Sequence, residues 1–277
     1  MHRNRLFGGV VLAALMLVGF TSVASAQAPL PVPNAFLAGV PQELGNPGGS
    51  APGSNDFSCK PTAEHPNPVV LVHGTGGNRQ TNWATYAPLL ANEGYCVFAL
   101  TYGALSDQWP LSAIGGLSGD EEKGAQFAAF AEKVLAATGA RKFDVVGHSQ
   151  GTVIPSYYAH FLGGADKIDK YVSLAPLWKF SSPVSRHDWL RNTPTYLPEI
   201  TYTNIMTRYD EIVVPYSVGY VEGPNATNIV VQDTCEQDFS EHAGIAGSPR
   251  AAAMVLNALD PAHPRPVPCE FVPPFTG

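Results

Sequence analysis

The stretch Phe143-Asp144-Val145-Val146-Gly147-His148-Ser149-Gln150-Gly151 decides how the rest of the chain is interpreted. It contains the pattern G-x-S-x-G between a predicted strand at residues 143–146 and a predicted helix at residues 151–162. A serine at such a junction stands on a sharp turn that exposes its hydroxyl above a sheet, where it can act as a nucleophile. The pattern recurs by chance, so a tight turn without chemistry is the alternative. The strand–turn–helix setting favours the nucleophile, and the glycines prevent side chains from crowding the strand against the helix.

Predicted strands and helices alternate along most of the chain on both sides of this turn. Further strands are predicted at residues 69–72, 96–100, 170–174, 203–207 and 228–232, and further helices at residues 83–92, 121–138 and 250–259. Apolar residues at helical spacing make the helix at residues 121–138 the clearest of these. Such alternation predicts an α/β fold, with a mostly parallel sheet and helices on both faces.

A serine hydroxyl is a weak nucleophile, so a histidine base is expected in the same chain. Of the eight histidines, His242 follows the last predicted strand and precedes the final predicted helix. This place fits folds in which the order along the chain is serine, acid, histidine. His73 ends a strand beside a glycine-rich loop and is interpreted as structural. His148 lies inside the turn, and we expect its side chain to point away from Ser149.

The acid that orients such a histidine should follow a strand between Ser149 and His242. Asp210 meets this requirement because it comes shortly after the strand predicted at residues 203–207. Asp233 also follows a predicted strand and is the alternative. It would lie, however, on the strand that delivers the histidine itself, so we favour Asp210.

A tetrahedral intermediate needs two backbone N–H donors to stabilise its negative oxygen. In folds with this turn, one donor is the residue after the nucleophile, here Gln150, and the other lies in a loop after an earlier strand. The loop His73-Gly74-Thr75-Gly76-Gly77 fits the second role, with Thr75 as the expected donor. A phosphate-binding loop is the alternative, but no lysine follows at the spacing that a P-loop requires.

The N-terminus has the layout of a secretory signal peptide. Arg3 and Arg5 precede an uncharged apolar run at residues 6–20, and Ala24-Ser25-Ala26 supplies the small residues after which cleavage is expected. An uncleaved membrane anchor is the alternative, yet the run is shorter than the roughly 20 apolar residues that span a bilayer. We therefore expect a secreted, extracellular protein without a stable membrane span.

Residues 27–56 are rich in proline, glycine and serine, and they predict an extended or partly disordered arm lying over a single domain at residues 57–277. The chain has 16 basic and 23 acidic side chains and a net charge of −7. It contains no cluster of lysines and arginines that could neutralise phosphates, which argues against a nucleic-acid partner.

Four cysteines, Cys59, Cys96, Cys235 and Cys269, suggest disulfide bonds in a secreted chain, and three pairings are possible. We favour Cys59–Cys96 and Cys235–Cys269 because each bond would close a local loop. Loops of this size would contribute roughly 3–4 kcal/mol each in the chain-entropy model. A zinc site is the alternative, but no two of the cysteines form a C-x-x-C pair.

Four segments together resemble those of secreted class 2 lipases and of the fungal lipase B group. They are His73-Gly74-Thr75-Gly76-Gly77, Gly147-His148-Ser149-Gln150-Gly151, Tyr209-Asp210-Glu211-Ile212-Val213 and Glu241-His242-Ala243-Gly244. The likeness extends over roughly residues 57–270 and implies an α/β-hydrolase fold with triacylglycerol lipase or carboxylesterase activity. It implies Ser149, Asp210 and His242 as a catalytic triad, with Thr75 and Gln150 forming the oxyanion hole.

The resemblance also bears on the disulfides. In the fungal group, one disulfide joins an early loop to the strand that matches Cys96, and another follows the acid-bearing strand and matches Cys235. Both agree with the pairing favoured above. The chain departs from the fungal group at Gly147-His148, where the fungal turn begins with Thr-Trp. Bacterial class 2 lipases share the turn but lack this disulfide pattern.

On these grounds we expect a monomeric hydrolase that cleaves carboxylic esters of medium or long acyl chains, such as triacylglycerols. It would work through an acyl-enzyme and without a metal or organic cofactor. The irregular stretches at residues 102–119 and 177–198 are expected to shape the acyl site and to suit a lipid–water interface. A carboxylesterase or polyester hydrolase with the same triad is one alternative, and a non-catalytic lipid-binding relative is another.

Overall fold

A six-stranded parallel sheet forms the centre of the computed structural model, which describes residues 28–180 and 187–276. The signal peptide predicted at residues 1–26 lies outside the described residues. The strands are β1 (Val69–Val72), β2 (Val97–Leu100), β3 (Phe143–His148), β4 (Ile168–Leu174), β5 (Thr201–Met206) and β6 (Ala226–Val230). They lie in the order β2-β1-β3-β4-β5-β6, and every neighbouring pair is parallel. The strand order reverses between β1 and β3, where open α/β sheets bind ligands at the carboxyl ends of their strands.

Helices cover both faces of this sheet, which confirms the α/β class predicted from the alternation. They are α1 (Gly39–Gly45), α2 (Tyr86–Asn92), α3 (Asp120–Thr138), α4 (Ile154–Phe161) and α5 (Pro249–Leu259). Successive strand residues point to opposite faces. Leu71 of β1 therefore packs in a core with residues of α2 and α5, whereas Val70 packs in a second core with residues of α3 and α4. Within the described ranges, no helix is long and apolar enough to cross a membrane.

The predicted elements are all present, but two helices begin later than the patterns indicated. The helix predicted at residues 151–162 is divided into a 3-10 turn, Ser149–Thr152, and α4, which begins at Ile154. Pro155 lies in the first turn of α4, where its missing N–H costs no hydrogen bond, so it opens a new helix rather than extending the turn. The helix predicted from residue 83 begins at Tyr86.

The arm at residues 28–56 contains a 3-10 helix, Phe36–Ala38, and α1, neither of which its composition predicted. Leu30 is fixed to α2 because its backbone N–H donates to Asn92 Oδ1 at 2.8 Å and its carbonyl accepts from Asn92 Nδ2 at 2.9 Å. A Cβ on Gly39 would lie 2.4 Å from the carbonyl oxygen of Thr81, so only glycine permits this close approach. The arm therefore has local structure and packs against the body of the domain.

Two disulfide bonds tie peripheral segments to the sheet. Cys59–Cys96 joins the segment after the arm to the residue before β2, and Cys235–Cys269 joins the segment after β6 to the C-terminal tail. These are the two pairings that loop size favoured. No free cysteine is present in the part of the chain that the structure describes.

Removal of the Cys235–Cys269 disulfide should lower the stability of the protein, because the unfolded chain gains conformational freedom. We expect the double variant Cys235→Ala/Cys269→Ala to lose roughly 4 kcal/mol of unfolding free energy, because cysteines 34 residues apart in sequence no longer restrict the unfolded chain. Urea unfolding without reductant measures the loss against wild type. An unchanged midpoint and slope would show that the bond contributes nothing to stability.

Candidate active site

Ser149 lies at the end of β3 on the sharp turn that the G-x-S-x-G pattern predicts. Its φ is 54°, in the left-handed region that residues other than glycine rarely adopt. Such a conformation persists only where the surrounding structure holds it, and residues of this kind cluster at functional sites. The turn lies at the carboxyl edge of the sheet beside the reversal between β1 and β3. Ser149 thus stands where folds of this class bind ligands.

Two glycines allow this turn by letting backbone segments approach each other. A Cβ on Gly151 would lie 1.9 Å from the carbonyl oxygen of Val72, and a Cβ on Gly147 would lie 2.4 Å from the carbonyl oxygen of Gly151. Both distances are far below van der Waals contact. A side chain at either position would therefore force the turn away from β1 or from the 3-10 turn that follows it.

A methyl group at position 151 is the smallest change that tests this contact. We expect Gly151→Ala to destabilise the protein by about 3 kcal/mol, the upper end of overpacking costs, since the obstacle is backbone and cannot rotate away. Thermal melts followed by circular dichroism measure the effect. Gly45→Ala is the control because a Cβ there meets no atom within 4 Å. Equal melting temperatures for the two variants would contradict the packing argument.

Ser149, His242 and Asp210 form a continuous hydrogen-bonded chain. His242 Nε2 lies 2.8 Å from Ser149 Oγ, and His242 Nδ1 lies 2.9 Å from each carboxylate oxygen of Asp210. With its Nδ1–H donated to the carboxylate, the ring turns the lone pair of Nε2 toward the serine hydroxyl. The structure thus brings together the three residues that the sequence analysis selected.

Backbone groups hold Asp210 in place. Its Oδ1 accepts hydrogen bonds from the N–H groups of Ile212 at 3.0 Å and Val213 at 2.7 Å. The alternative acid, Asp233, does not bond to His242. Its half-exposed carboxylate pairs with Arg208 instead. Of the two acids that the sequence analysis considered, only Asp210 contacts the histidine.

The loop that carries His242 is held by side chains to which the sequence analysis gave no role. His148 Nε2 donates to the carbonyl oxygen of His242 at 2.8 Å, and Glu211 Oε2 accepts the backbone N–H of His242 at 3.2 Å. His148 Nδ1 lies 3.1 Å from Asn82 Oδ1, and Asn82 Oδ1 accepts the N–H of Gly74. His148 therefore connects the serine turn, the glycine-rich loop and the histidine loop. Its place beside the serine was the only signal of this role in the sequence.

His73 is buried next to this network and has a partner for each ring nitrogen. Nδ1 donates to the carbonyl oxygen of Gly74 at 2.7 Å, and Nε2 accepts the backbone N–H of Tyr102 at 3.2 Å. Protonation would set a second ring N–H against the N–H of Tyr102. Burial lowers the pKa of His73 to about 4, and burial lowers the pKa of His148 to about 3. Both rings are therefore neutral near pH 7.

These two histidines should make the fold sensitive to acid. Their pKa is 6.5 in the unfolded chain and lower in the folded protein, so protons bind the unfolded chain preferentially as the pH falls. Their contribution is fully present above about pH 6.5 and is lost progressively as the pH falls through about 4 for His73 and about 3 for His148. We expect His73→Gln to show a shallower fall in unfolding free energy, because glutamine keeps a donor and an acceptor without titrating.

Urea unfolding between pH 4 and 8 compares the slopes of wild type and His73→Gln. His263→Asn is the matched control, since the side chain of His263 is 76% exposed, and it should follow the wild-type curve. If His73→Gln and wild type lose stability with the same slope, the buried ring does not cause the acid sensitivity.

Thr75 and Gln150, the expected oxyanion donors, border the same cavity as Ser149 and His242. This cavity has a volume of about 820 Å³. A second cavity of about 360 Å³ also borders Thr75, Ser149 and His242, and the arm residue Phe36 forms part of its wall. Ser149 and His242 therefore border both cavities. This arrangement suits a substrate that is cleaved at Ser149 and extends into a cavity on each side.

The Lipase (class 2) family matches residues 66–176 of the chain, a range that includes the glycine-rich loop and the serine turn. A triacylglycerol lipase of Pseudarthrobacter phenanthrenivorans is 34% identical over 97 residues, which are 33% of this chain and 28% of that protein. A pyrrolizixenacetamide deacetylase of Xenorhabdus hominickii is 35% identical over 89 residues, which are 31% of this chain and 29% of that protein. The matched stretch thus spans less than a third of each of these relatives.

Solved structures resemble the chain over a larger part of its length. Aspergillus fumigatus lipase B has a TM-score of 0.60 at 17% sequence identity, covering 79% of this chain and 61% of that chain. An α/β hydrolase from a sediment metagenome of the Mar Chica lagoon has a TM-score of 0.50 at 15% identity, covering 72% of this chain and 90% of that chain. Likeness at such identities concerns the fold, and it confirms the α/β-hydrolase architecture.

Proposed function

We propose that this chain, an α/β hydrolase whose residues 66–176 match the class 2 lipases, hydrolyses carboxylic esters with Ser149 as its nucleophile. The observation that carries the proposal is the hydrogen-bonded chain from Ser149 through His242 to Asp210. It lies at the edge of the sheet where this fold binds ligands, and it borders a cavity large enough for an organic substrate.

In the proposed reaction, Ser149 Oγ attacks the ester carbonyl while His242 Nε2 takes the hydroxyl proton. The Asp210 carboxylate stabilises the imidazolium that forms. Collapse of the tetrahedral intermediate breaks the bond to the alcohol oxygen, which leaves with the proton from His242 and gives an acyl-enzyme. Water then attacks the acyl carbonyl, again with His242 as the base, and releases the acid. Each step uses side chains of this protein and needs no metal or organic cofactor.

The negative oxygen of each intermediate is assigned to the backbone N–H groups of Thr75 and Gln150. Gln150 follows the nucleophile at the start of the 3-10 turn, and Thr75 lies in the glycine-rich loop after β1, so two different strands deliver the two donors. Donors aimed at a developing charge and held rigidly by backbone contribute strongly to catalysis. The hydrogen bonds from the N–H of Gly74 to Asn82 Oδ1 and from the N–H of Gly76 to the carbonyl oxygen of Gly115 support the rigidity of this loop.

For the substrate, we propose esters of medium or long acyl chains, including triacylglycerols. Leu117, Leu177, Phe180 and Ile212 give the larger cavity an apolar wall that would accept an alkyl chain. The alternatives are a carboxylesterase or polyester hydrolase with the same triad and a non-catalytic lipid-binding relative. The two disulfide bonds suit an oxidising environment and support the proposal that the protein acts outside the cell. We also propose that it acts as a monomer.

Substitution of the serine tests the function directly. We expect Ser149→Ala to lower kcat on p-nitrophenyl octanoate by at least about 10⁴-fold, because the variant lacks the attacking oxygen. The variant should also lose labelling by a fluorophosphonate probe. Ser58→Ala is the matched control, since Ser58 is exposed and, among the described residues, its hydroxyl bonds only to Asp56. Activity that survives in Ser149→Ala would reject the assignment of the nucleophile.

The same wild-type preparation separates the alternatives. Hydrolysis of emulsified triacylglycerols would identify a lipase, whereas hydrolysis limited to soluble short esters would identify a carboxylesterase. A folded wild-type protein that neither hydrolyses esters nor reacts with the fluorophosphonate would leave the non-catalytic alternative.

A further inference from the structure

A buried ion pair forms one side of the larger cavity. Asp120 Oδ1 lies 2.9 Å from Lys123 Nζ, and the side chain of Lys123 is only 5% exposed. Asp120 Oδ2 accepts hydrogen bonds from His187 Nδ1 at 2.8 Å and from Trp189 Nε1 at 3.0 Å. Asp120, Lys123 and His187 all border the cavity that also contains Ser149. The proposed reaction gives no role to Asp120, Lys123 or His187.

The polar side of the cavity has spare hydrogen-bond donors. Both oxygens of Asp120 are occupied, but Lys123 Nζ has three donors and only one partner, Asp120, among the described residues. Ser118 also borders the cavity, and its hydroxyl is buried without a partner in the described part of the chain. Burial alone would raise the pKa of Asp120, but its bonds to His187 and Lys123 lower the pKa on balance, so the Asp120 carboxylate is ionised at neutral pH.

The segment that carries these donors adjoins the glycine-rich loop. Gly116 packs against the glycine-rich loop. A Cβ on Gly116 would lie 3.1 Å from the Cα of Thr75. The chain from Gly116 to Asp120 can extend at most about 14 Å. The stem of Lys123 packs on Gly103, whose carbonyl also accepts the backbone N–H of Ser118 at 3.0 Å. Lys123 and Ser118 therefore belong to the same wall.

An alkyl chain offers no acceptor to the hydrogen-bond donors of Lys123 and Ser118. A purely apolar substrate would exclude water from the Lys123 ammonium and would give neither it nor the buried Ser118 hydroxyl an acceptor, which is costly for buried polar groups. A carboxylate would supply an acceptor, but Asp120 already neutralises Lys123, so a second negative charge would be buried without a counter-ion. A neutral oxygen acceptor, such as an ester carbonyl or a hydroxyl, avoids both costs.

We propose that the cavity selects esters whose acyl chain has a second neutral oxygen acceptor, which binds to Lys123 and Ser118, so that diesters and oxygen-bearing acyl esters are preferred to simple alkyl esters. The apolar wall at Leu177 and Phe180 would contact the methylene groups between the two oxygens. This inference rests on the proposed ester hydrolysis and concerns the substrate class of the same site.

Two matched substrates test the preference. The p-nitrophenyl ester of monomethyl adipate and p-nitrophenyl octanoate have the same leaving group and acyl chains with the same number of backbone atoms. The p-nitrophenyl group is small enough for the cavity of about 360 Å³, and in the proposed orientation it would leave the cavity of about 820 Å³ to the acyl chain. We expect the wild-type kcat/KM for the adipate ester to exceed that for the octanoate by about tenfold, the effect of a hydrogen bond to a charged group.

Lys123→Met keeps the length of the side chain and removes its donors, so it should abolish the preference and raise kcat/KM for octanoate. Lys123→Arg keeps a cation and should restore part of the preference for the adipate ester. Lys133→Met is the matched control on the same helix, because Lys133 is exposed and lies over the ring of Phe57. It should retain the wild-type ratio.

The outcomes separate this inference from the proposed function. Equal wild-type rates on the two esters, or a preference that persists in Lys123→Met, would overturn the inference and leave ester hydrolysis intact. If neither ester is hydrolysed and the fluorophosphonate does not label Ser149, the function fails and the inference fails with it. The wild-type comparison decides the question even if a variant at Lys123 does not fold.

Discussion

The approach of the turn after β3 to the backbone of β1 is the contact on which the rest of the site depends. Only glycine at position 151 allows the turn to come this close to the Val72 carbonyl, and the approach holds Ser149 in its left-handed conformation. The glycine-rich loop leaves β1 at the same edge, so it is positioned by the same contact. The packing of two neighbouring strands thus sets the distance between the candidate nucleophile and its candidate oxyanion donors.

Much of the fold and of the candidate site could be predicted because it is expressed in local patterns. Strands buried on both faces appear as short apolar runs, of which Val69–Val72 is the plainest example. The order of Ser149, Asp210 and His242 is a property of the chain and needs no coordinates. The cysteine pairing was accessible because two of the possible bonds close short loops. Each of these features can be recognised within a few residues or by counting along the chain.

Features that depend on the meeting of distant segments left no such pattern. Nothing near His148 in the sequence indicates that the carbonyl of His242 will lie beside its ring. Lys123 occurs in a charged first turn of α3 that reads as a solvated surface, yet it is buried, because Asp120 neutralises it and Gly103 packs on its stem. Helix α1 was missed because the proline, glycine and serine content of the arm indicates turns. It does not show that the arm packs against the rest of the domain.

The candidate site is lined by two parts of the chain, the arm and the domain that carries the sheet. Phe36 and Val40 line the smaller cavity beside Ser149, although both precede the segment that matches the lipase family. One wall of the candidate substrate site is therefore supplied by the arm, outside the sheet and the loops that carry the hydrogen-bonded chemistry. A protease that trims this end of the molecule reaches that wall before it reaches any strand of the sheet.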